Sequence, residues 1–196
     1  MGYYCCHALS MGCPVIAFEP FSLNVHYLMR NIRENGWAKQ AEIFPLAVGP
    51  KTGIVNIWGS GTGASLIKGW DSISENYVTQ VPVMSLDRLL GHKINGRRTL
   101  IVVDIEGAEF MMLQGAKSIL RNDPAATWIV EINSTEHQPK GTKINPNFAK
   151  TFGLFFAEGY QVHAIDENLS KISLDEIEAI GTGQVAAKVS NYLFCK

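Results

Sequence analysis

The chain lacks several features that would assign it to a class of protein at once. No run of about 18 apolar residues occurs in its 196 residues, so no membrane span is predicted. Its 17 Lys and Arg nearly balance its 18 Asp and Glu, which gives no electrostatic basis for binding nucleic acid. The N-terminus has no basic region followed by an apolar one, so no secretory signal is predicted and a cytoplasmic protein is expected.

Cysteine is scarce and is not spaced for metal binding. The four cysteines, Cys5, Cys6, Cys13 and Cys195, include no Cys-x-x-Cys pair. None of them stands at a distance from histidine that is typical of zinc sites. We therefore expect free thiols in a reducing compartment and no metal centre.

Apolar residues are plentiful, at 46% of the chain, and are sufficient for the core of one ordinary domain. Helical and strand patterns alternate along the sequence. The predicted helices are 3–11, 22–35, 85–90, 108–121 and 146–158. The predicted strands are 14–18, 41–48, 99–104, 127–132, 160–165 and 191–195. Strands separated by crossover helices predict an α/β fold with a doubly wound, mostly parallel sheet, in which the last two strands pair antiparallel.

Residues 49–85 differ from the rest of the chain. Gly, Thr, Ser and Asn are dense there, and short alternating runs at 54–58 and 78–84 predict hairpin-like material inserted between two α/β units. Just before this segment, Pro45 is compatible with the strand 41–48 only at a bulge or near an edge.

The most informative stretch runs from Leu100 to Glu109. A continuous apolar run ends at Asp104, and Glu106 and Gly107 follow within three positions. Such a run is typical of a strand buried on both faces, and ligands of parallel sheets bind beyond the carboxyl ends of the strands. Asp104 and Glu106 are therefore candidates to orient an acceptor or to take its proton. Alternatively, the two acids hold a divalent ion, although no third ligand stands at a recognisable spacing. Glu109 is predicted to be structural, as an acid in the first turn of the next helix.

Other candidates stand near strand ends or on loops. Glu131 either faces the same crevice or belongs to a buried ion pair. Glu19 either accepts hydrogen bonds from two ribose hydroxyls or is an exposed turn residue. His137 is a base or an exposed loop histidine. Ser65 lies in a glycine-rich loop without the phosphate-loop signature, and this loop faces substrate or is a plain insertion.

Together these segments resemble the FkbM-type methyltransferases, which are S-adenosylmethionine-dependent enzymes with a Rossmann-like sheet. The resemblance runs from about residue 2 to the end of the chain. The matching residues are Val15-Ile16-Ala17-Phe18-Glu19-Pro20 with Asn24, Leu28, Asn31 and Asn35, then Leu46-Ala47-Val48-Gly49, Ala64-Ser65-Leu66, Val83-Met84-Ser85-Leu86-Asp87-Arg88-Leu89-Leu90, Asp104-Ile105-Glu106-Gly107-Ala108-Glu109 with Leu113-Gln114-Gly115-Ala116, and Ile129-Val130-Glu131-Ile132.

The resemblance implies S-adenosylmethionine as cofactor and methylation of a hydroxyl on a sugar, glycolipid or secondary metabolite. The partner is then a small-molecule or glycan acceptor. The implied cofactor-binding residues are Gly2, Tyr3, Glu19, Pro20, Asn24, Ala47, Val48 and Asp104. The implied catalytic residues are Asp104, Glu106 and Glu131. Among them, Glu19 would hold the ribose, Ala47 and Val48 would line the adenine pocket, and Asp104 and Glu106 would stand beside the reacting methyl.

Two departures from the family pattern qualify this interpretation. Val102 stands where family members often carry lysine, and Gly2-Tyr3-Tyr4 matches only the tail of the family's first glycine loop. We therefore expect one methyltransferase domain over residues 1–196, truncated within the cofactor-binding loop, with its first strand missing and weak or no cofactor binding. Two alternatives remain open at this point. One is a non-catalytic scaffold that keeps the fold, and the other is a dinucleotide oxidoreductase that uses Glu19.

Overall fold

In a computed structural model, which describes residues 1–196, helices and strands alternate along the chain. The helices are α1 (Tyr3–Ser10), α2 (Ser22–Glu34), α3 (Leu86–Leu90), α4 (Glu109–Gln114), α5 (Lys117–Leu120), α6 (Phe148–Ala157) and α7 (Leu174–Gly181). The strands are β1 (Val15–Phe18), β2 (Ala41–Phe44), β3 (Ala47–Val48), β4 (Gly53–Trp58), β5 (Val78–Met84), β6 (Leu100–Val103), β7 (Thr127–Glu131), β8 (Gln161–Ala164), β9 (Lys171–Ile172) and β10 (Asn191–Cys195). No helix is both long and apolar enough to cross a membrane.

Hydrogen bonding divides the strands among three sheets. One contains β1 and β2, another has the order β3-β5-β4, and the largest has the order β6-β7-β10-β8-β9. Parallel pairing is confined to β1–β2, β3–β5 and β6–β7. The other pairs are antiparallel, including β8–β10, as predicted for the last two strands.

The α/β class is confirmed, but the sheets are mixed where the sequence predicted a mostly parallel arrangement. A strand must run antiparallel to its neighbour when its connection returns at the same end of the sheet. The insertion between β4 and β5 returns in this way. Residues 165–190 likewise begin and end at the same end of the main sheet. β10 therefore lies between β7 and β8 and runs antiparallel to both.

Two predicted elements are each divided in the structure. The predicted strand 41–48 splits into β2 and β3, which join different sheets, because Pro45 has no N–H to donate to a ladder. The predicted helix 108–121 splits into α4 and α5 at Gly115 and Ala116. A Cβ on Gly115 would lie 2.2 Å from the carbonyl oxygen of Gly49, so this turn needs glycine to pass so close to the neighbouring loop.

The core has one large part and two small ones. The large part is a cluster of 26 buried residues, in which the rings of Phe155 and Phe194 stack with centroids 3.8 Å apart. A separate cluster of Leu9, Ala17, Leu28 and Ile32 holds α1, β1 and α2 together. The third cluster lies within the sheet of β3, β4 and β5. The N-terminal elements therefore have a small core of their own, while Ile16, Phe18 and Phe44 of β1 and β2 also pack against the main cluster.

Candidate functional site

A cleft opens where the ends of β1, β3 and β6 meet the segment between β4 and β5, called here the insert loop (residues 59–77). It encloses about 580 Å³ of space, part of which is open solvent. Its lining includes the predicted site residues Glu19, Pro20, Asn24, Ala47, Val48, Asp104 and Glu106. Residues distant in sequence thus converge on one cavity.

Gly2 and Tyr3, which the family resemblance also implied as cofactor-binding, do not line this cleft. Gly2 precedes α1 with a left-handed backbone (φ 77°), and an added Cβ would lie 2.3 Å from Leu28. Tyr3 is 80% exposed. The structure therefore brings together six of the eight implied cofactor-binding residues and leaves these two outside.

Glu19 stands at the end of β1, on the wall formed by the N-terminal elements. Its Oε1 accepts a hydrogen bond from the Phe21 backbone N–H at 2.8 Å. Partial burial raises the pKa of Glu19, although the Phe21 N–H and the Asn24 amide oppose the shift. A carboxylate has about four lone-pair sites, so Glu19 keeps acceptor capacity for hydroxyl groups in the cleft.

The wall beside Glu19 is apolar. Ala47 and Val48 of β3 are buried, and Leu46, Ile57 and Leu66 also face the cleft. Asn24 anchors this wall to the insert loop, because its Nδ2 donates to the carbonyl oxygen of Gly61 at 2.9 Å. A polar rim and an apolar wall suit a ligand that carries both hydroxyls and a flat ring.

Four carboxylates gather at the carboxyl ends of β6 and β7: Asp104, Glu106, Glu109 and Glu131. Asp104 and Glu106 line the cleft, whereas Glu131, the last residue of β7, neither lines it nor forms an ion pair. The segment 104–109 is called here the acid loop. Burial, and then the neighbouring Asp104 carboxylate, raise the pKa of Glu131, which accepts a hydrogen bond from Asn133 Nδ2 at 3.2 Å. None of the four ion pairs in the structure includes any of these carboxylates. The group therefore carries negative charge that no Lys or Arg neutralises.

Glu109 lies in the first turn of α4, as predicted for a structural acid, and is only 4% exposed. Its Oε1 accepts the Gly107 N–H at 3.0 Å, which closes the acid loop on itself. Burial is the largest cause that raises the pKa of Glu109 to about 7, and the Asp104 and Glu131 carboxylates add to it. Glu109 thus supports the acid loop from behind the cleft.

The insert loop holds Glu106 at two points. The Ser65 hydroxyl donates to the Glu106 carbonyl oxygen at 2.5 Å, and Trp70 Nε1 donates to Glu106 Oε2 at 2.9 Å. The Trp70 ring lies so close to Gly107 that a Cβ there would come within 2.4 Å of it. The sequence left the role of Ser65 open and did not place Trp70 against Glu106. The glycine that follows Glu106 is the one signal of such a close approach.

His137 is neither isolated nor buried. Its Nδ1 lies 2.9 Å from Asp71 Oδ1, and its ring centroid is 6.0 Å from that of Trp70. The hydrogen bond with Asp71 is the main cause that raises the pKa of His137, and the Asp71, Glu106 and Glu136 charges add to it. The pair joins the insert loop to the loop that follows β7.

Backbone strain is concentrated at the same junction. Five non-glycine residues have a positive φ, and four of them are Glu106 (54°), Asp71 (48°), Ser72 (57°) and His137 (61°). Such conformations persist only where the surroundings enforce them, and they cluster at functional sites. The strained residues thus lie where the insert loop meets the acid loop and the loop that follows β7.

Comparison with known proteins gives two matches. A family model described as "Methyltransferase FkbM domain" matches residues 2–162. The crystal structure of methyltransferase FkbM from Methylobacillus flagellatus KT matches 92% of this chain at 17% identity and a TM-score of 0.47. The match covers 36% of that chain, so this chain spans little more than a third of that protein's length. No curated protein matches the sequence.

Proposed function

Because this chain belongs to the FkbM methyltransferase family, we propose that it transfers the methyl group of S-adenosylmethionine to a hydroxyl oxygen of a small-molecule or glycan acceptor. One observation carries the proposal: Glu19 and Asp104, at the ends of two strands in different sheets, line the same cleft with Ala47 and Val48. That arrangement supplies acceptors for a ribose, an apolar surface for a purine and negative charge for a cation.

The residues of the cleft fit the parts of this cofactor. Glu19 offers only acceptors, which matches the paired hydroxyls of a ribose. Ala47 and Val48 are buried and apolar, as the surroundings of an adenine ring require. When bound, S-adenosylmethionine supplies an electrophilic methyl carbon on a positively charged sulfur. The unneutralised carboxylates of Asp104 and Glu106 favour that charge.

Asp104, Glu106 and Glu131 are the catalytic residues of this proposal. Methyl transfer to a hydroxyl requires that the oxygen be aligned with the methyl carbon and that its proton be removed. The three carboxylates lie close enough for Asp104 and Glu106 to affect the pKa of Glu131. In this proposal Asp104 and Glu106, which line the cleft, orient the hydroxyl and receive its proton, and Glu131, which does not line the cleft, adds negative charge beside them.

A binding domain without turnover is the competing proposal. The placement of Gly2 and Tyr3 outside the cleft favours it, because the family resemblance assigns the backbone of that segment to the cofactor. The two proposals differ in one measurable outcome. Release of S-adenosylhomocysteine in the presence of hydroxylated acceptors supports catalysis, whereas binding without release supports the binding domain.

Calorimetry with S-adenosylhomocysteine tests the cofactor assignment. Glu19→Gln removes the charge of the carboxylate but keeps its shape, and we expect it to weaken binding about tenfold, since charged hydrogen bonds contribute about 1.5–3 kcal/mol. Glu34→Gln, at an exposed position at the end of α2, is the matched control. NAD, which also carries an adenosine ribose, is the second ligand. The proposal would be contradicted if the protein bound NAD tightly but did not bind S-adenosylhomocysteine. Equal affinity of Glu19→Gln and Glu34→Gln for S-adenosylhomocysteine would also contradict it.

A further inference from the structure

Glu106 adopts a backbone conformation that it would not keep alone. Its φ of 54° lies in the left-handed region, which is unfavourable for a residue with a side chain. The Ser65 hydroxyl donates to its carbonyl oxygen at 2.5 Å and accepts the Ile67 N–H at 2.9 Å. Since Ser65 is 1% exposed and bonded in both roles, its hydroxyl has one orientation, and that orientation fixes the Glu106 backbone.

The side chain of Glu106 is fixed separately. Trp70 is 2% exposed, and its ring lies against Gly107, where no Cβ intervenes. The indole N–H therefore points in a direction set by packing, and it donates to Glu106 Oε2 at 2.9 Å. The insert loop thus determines both where the Glu106 backbone runs and where its carboxylate lies.

The two donors are neutral, which has an electrostatic consequence. A hydroxyl and an indole orient Glu106 without cancelling its charge, whereas a Lys or Arg partner would form an ion pair. No Lys or Arg forms an ion pair with Glu106, and Glu106 lines the cleft. A prepositioned carboxylate in a partly enclosed cleft distinguishes a cationic ligand from a neutral one of the same shape.

We infer that Ser65 and Trp70 are positioning residues that hold Glu106 for recognition of the positive charge of the methyl donor. The inference rests on the proposed function. In that reaction the acceptor oxygen forms a bond to the methyl carbon, the sulfur–methyl bond breaks with its electron pair on sulfur, and the hydroxyl proton passes to a carboxylate of the site. The sulfur then carries no charge, so Glu106 stabilises the bound donor but not its product.

The test compares two ligands that differ at this sulfur. S-adenosylmethionine and S-adenosylhomocysteine share the ribose, the adenine and the amino acid end, so the ratio of their affinities isolates the sulfonium. We expect Glu106→Gln to lower the affinity for S-adenosylmethionine relative to that for S-adenosylhomocysteine on the order of tenfold. Trp70→Phe and Ser65→Ala should lower the same ratio severalfold. Trp58→Phe and Ser60→Ala, at nearby positions whose side chains donate no hydrogen bond to Glu106, are expected to leave the ratio unchanged. Calorimetry gives each dissociation constant.

The ratio is insensitive to a partly unfolded sample, because both ligands bind the same folded fraction and the stoichiometry reports it. If Trp70→Phe does not fold, Ser65→Ala provides the same test. An unchanged ratio in Glu106→Gln overturns the charge-recognition role while the proposed function stands. A lowered ratio in Glu106→Gln alone overturns the positioning role of Ser65 and Trp70. If the wild-type chain binds neither ligand, the proposed function is overturned and the inference with it.

Discussion

At the scale of single residues, Glu109 shows how packing overrides a local preference. An acid in the first turn of a helix gains about 0.3–1 kcal/mol from the helix dipole in its charged form. Burial opposes this and is stronger, so the pKa of Glu109 rises to about 7. The sequence predicts the position of Glu109 at the start of a helix. It does not predict the protonation, which depends on Asp104 and Glu131 lying close to it in the fold.

Glu109→Gln is expected to stabilise the protein in a pH-dependent way. The folded state favours protonated Glu109, so its contribution to stability is complete below 4.5, its ordinary pKa, and is lost as pH rises through about 7. Gln mimics the protonated acid at every pH. The stability of Glu109→Gln relative to wild type should therefore increase by about 3 kcal/mol between about pH 4 and about pH 8.

Urea denaturation across this pH range measures the effect, with Glu34→Gln as the exposed control. A difference between Glu109→Gln and wild type that does not change with pH would show that folding does not raise the pKa of Glu109.

Whether the sequence predicts a residue of the site depends on how far along the chain its contact partners lie. Glu19 and Asp104 follow from the sequence because each stands where an apolar strand ends. Ser65 and Trp70 do not, since they contact Glu106 across 41 and 36 residues. No local pattern records such a contact. The one sign of this contact in the sequence is Gly107, which lacks a side chain and so leaves room for the Trp70 ring.

At the scale of helices and strands, the break between α4 and α5 has a steric cause that can be tested. Gly115→Ala would place a Cβ 2.2 Å from the Gly49 carbonyl oxygen and 2.9 Å from Ser85 Cβ. We expect a loss of about 2–3 kcal/mol in the free energy of unfolding, since backbone must move to admit the methyl.

Gly153→Ala is the matched control within a helix. Gly153 lies inside α6, and nothing stands within 4 Å of its added Cβ. Alanine there should stabilise the protein by about 0.5–1 kcal/mol, because it favours the helix. Thermal unfolding of both variants checks the opposite signs. Destabilisation by Gly153→Ala, or no effect of Gly115→Ala, would contradict this account of the break.

Element types followed from periodicity more readily than their pairing did. α2 is found because the apolar residues Val25, Leu28, Met29 and Ile32 recur at helical spacing. The short elements β9 and α7 are missed, although Ser173 caps α7 by accepting the Glu176 N–H and gives a weak local signal. The antiparallel β8–β10 pair and the hairpin-like β4 and β5 were predicted, but the antiparallel pairing of β10 with β7 was not, because strand direction depends on connections rather than on the composition of a strand.

At the scale of the whole molecule, the separate cores predict unequal stability. The cluster of Leu9, Ala17, Leu28 and Ile32 is small, whereas 26 residues form the main cluster. Less buried apolar surface gives less resistance to local opening. Amides of α1, β1 and α2 should therefore exchange hydrogen through a lower free energy of opening than amides of β7 and β10.

Native-state hydrogen exchange on Leu28→Ala tests this prediction. Removing the buried Leu28 side chain should cost about 2–4 kcal/mol in the N-terminal elements and leave the slowest amides of β7 and β10 unchanged. Phe152→Leu, in the main cluster, should instead speed exchange in β7 and β10. Equal acceleration of both regions by Leu28→Ala would show that the two cores open together.

The cleft lies between these two regions, and this has a consequence for how the protein survives in a cell. Glu19 belongs to the N-terminal elements and Asp104 to the main sheet, and no strand ladder joins their sheets. A ligand that contacts both sides of the cleft adds contacts between the two regions, and its binding stabilises the folded protein by mass action. Proteases that act on transiently opened chains would then degrade the protein faster without a ligand in the cleft.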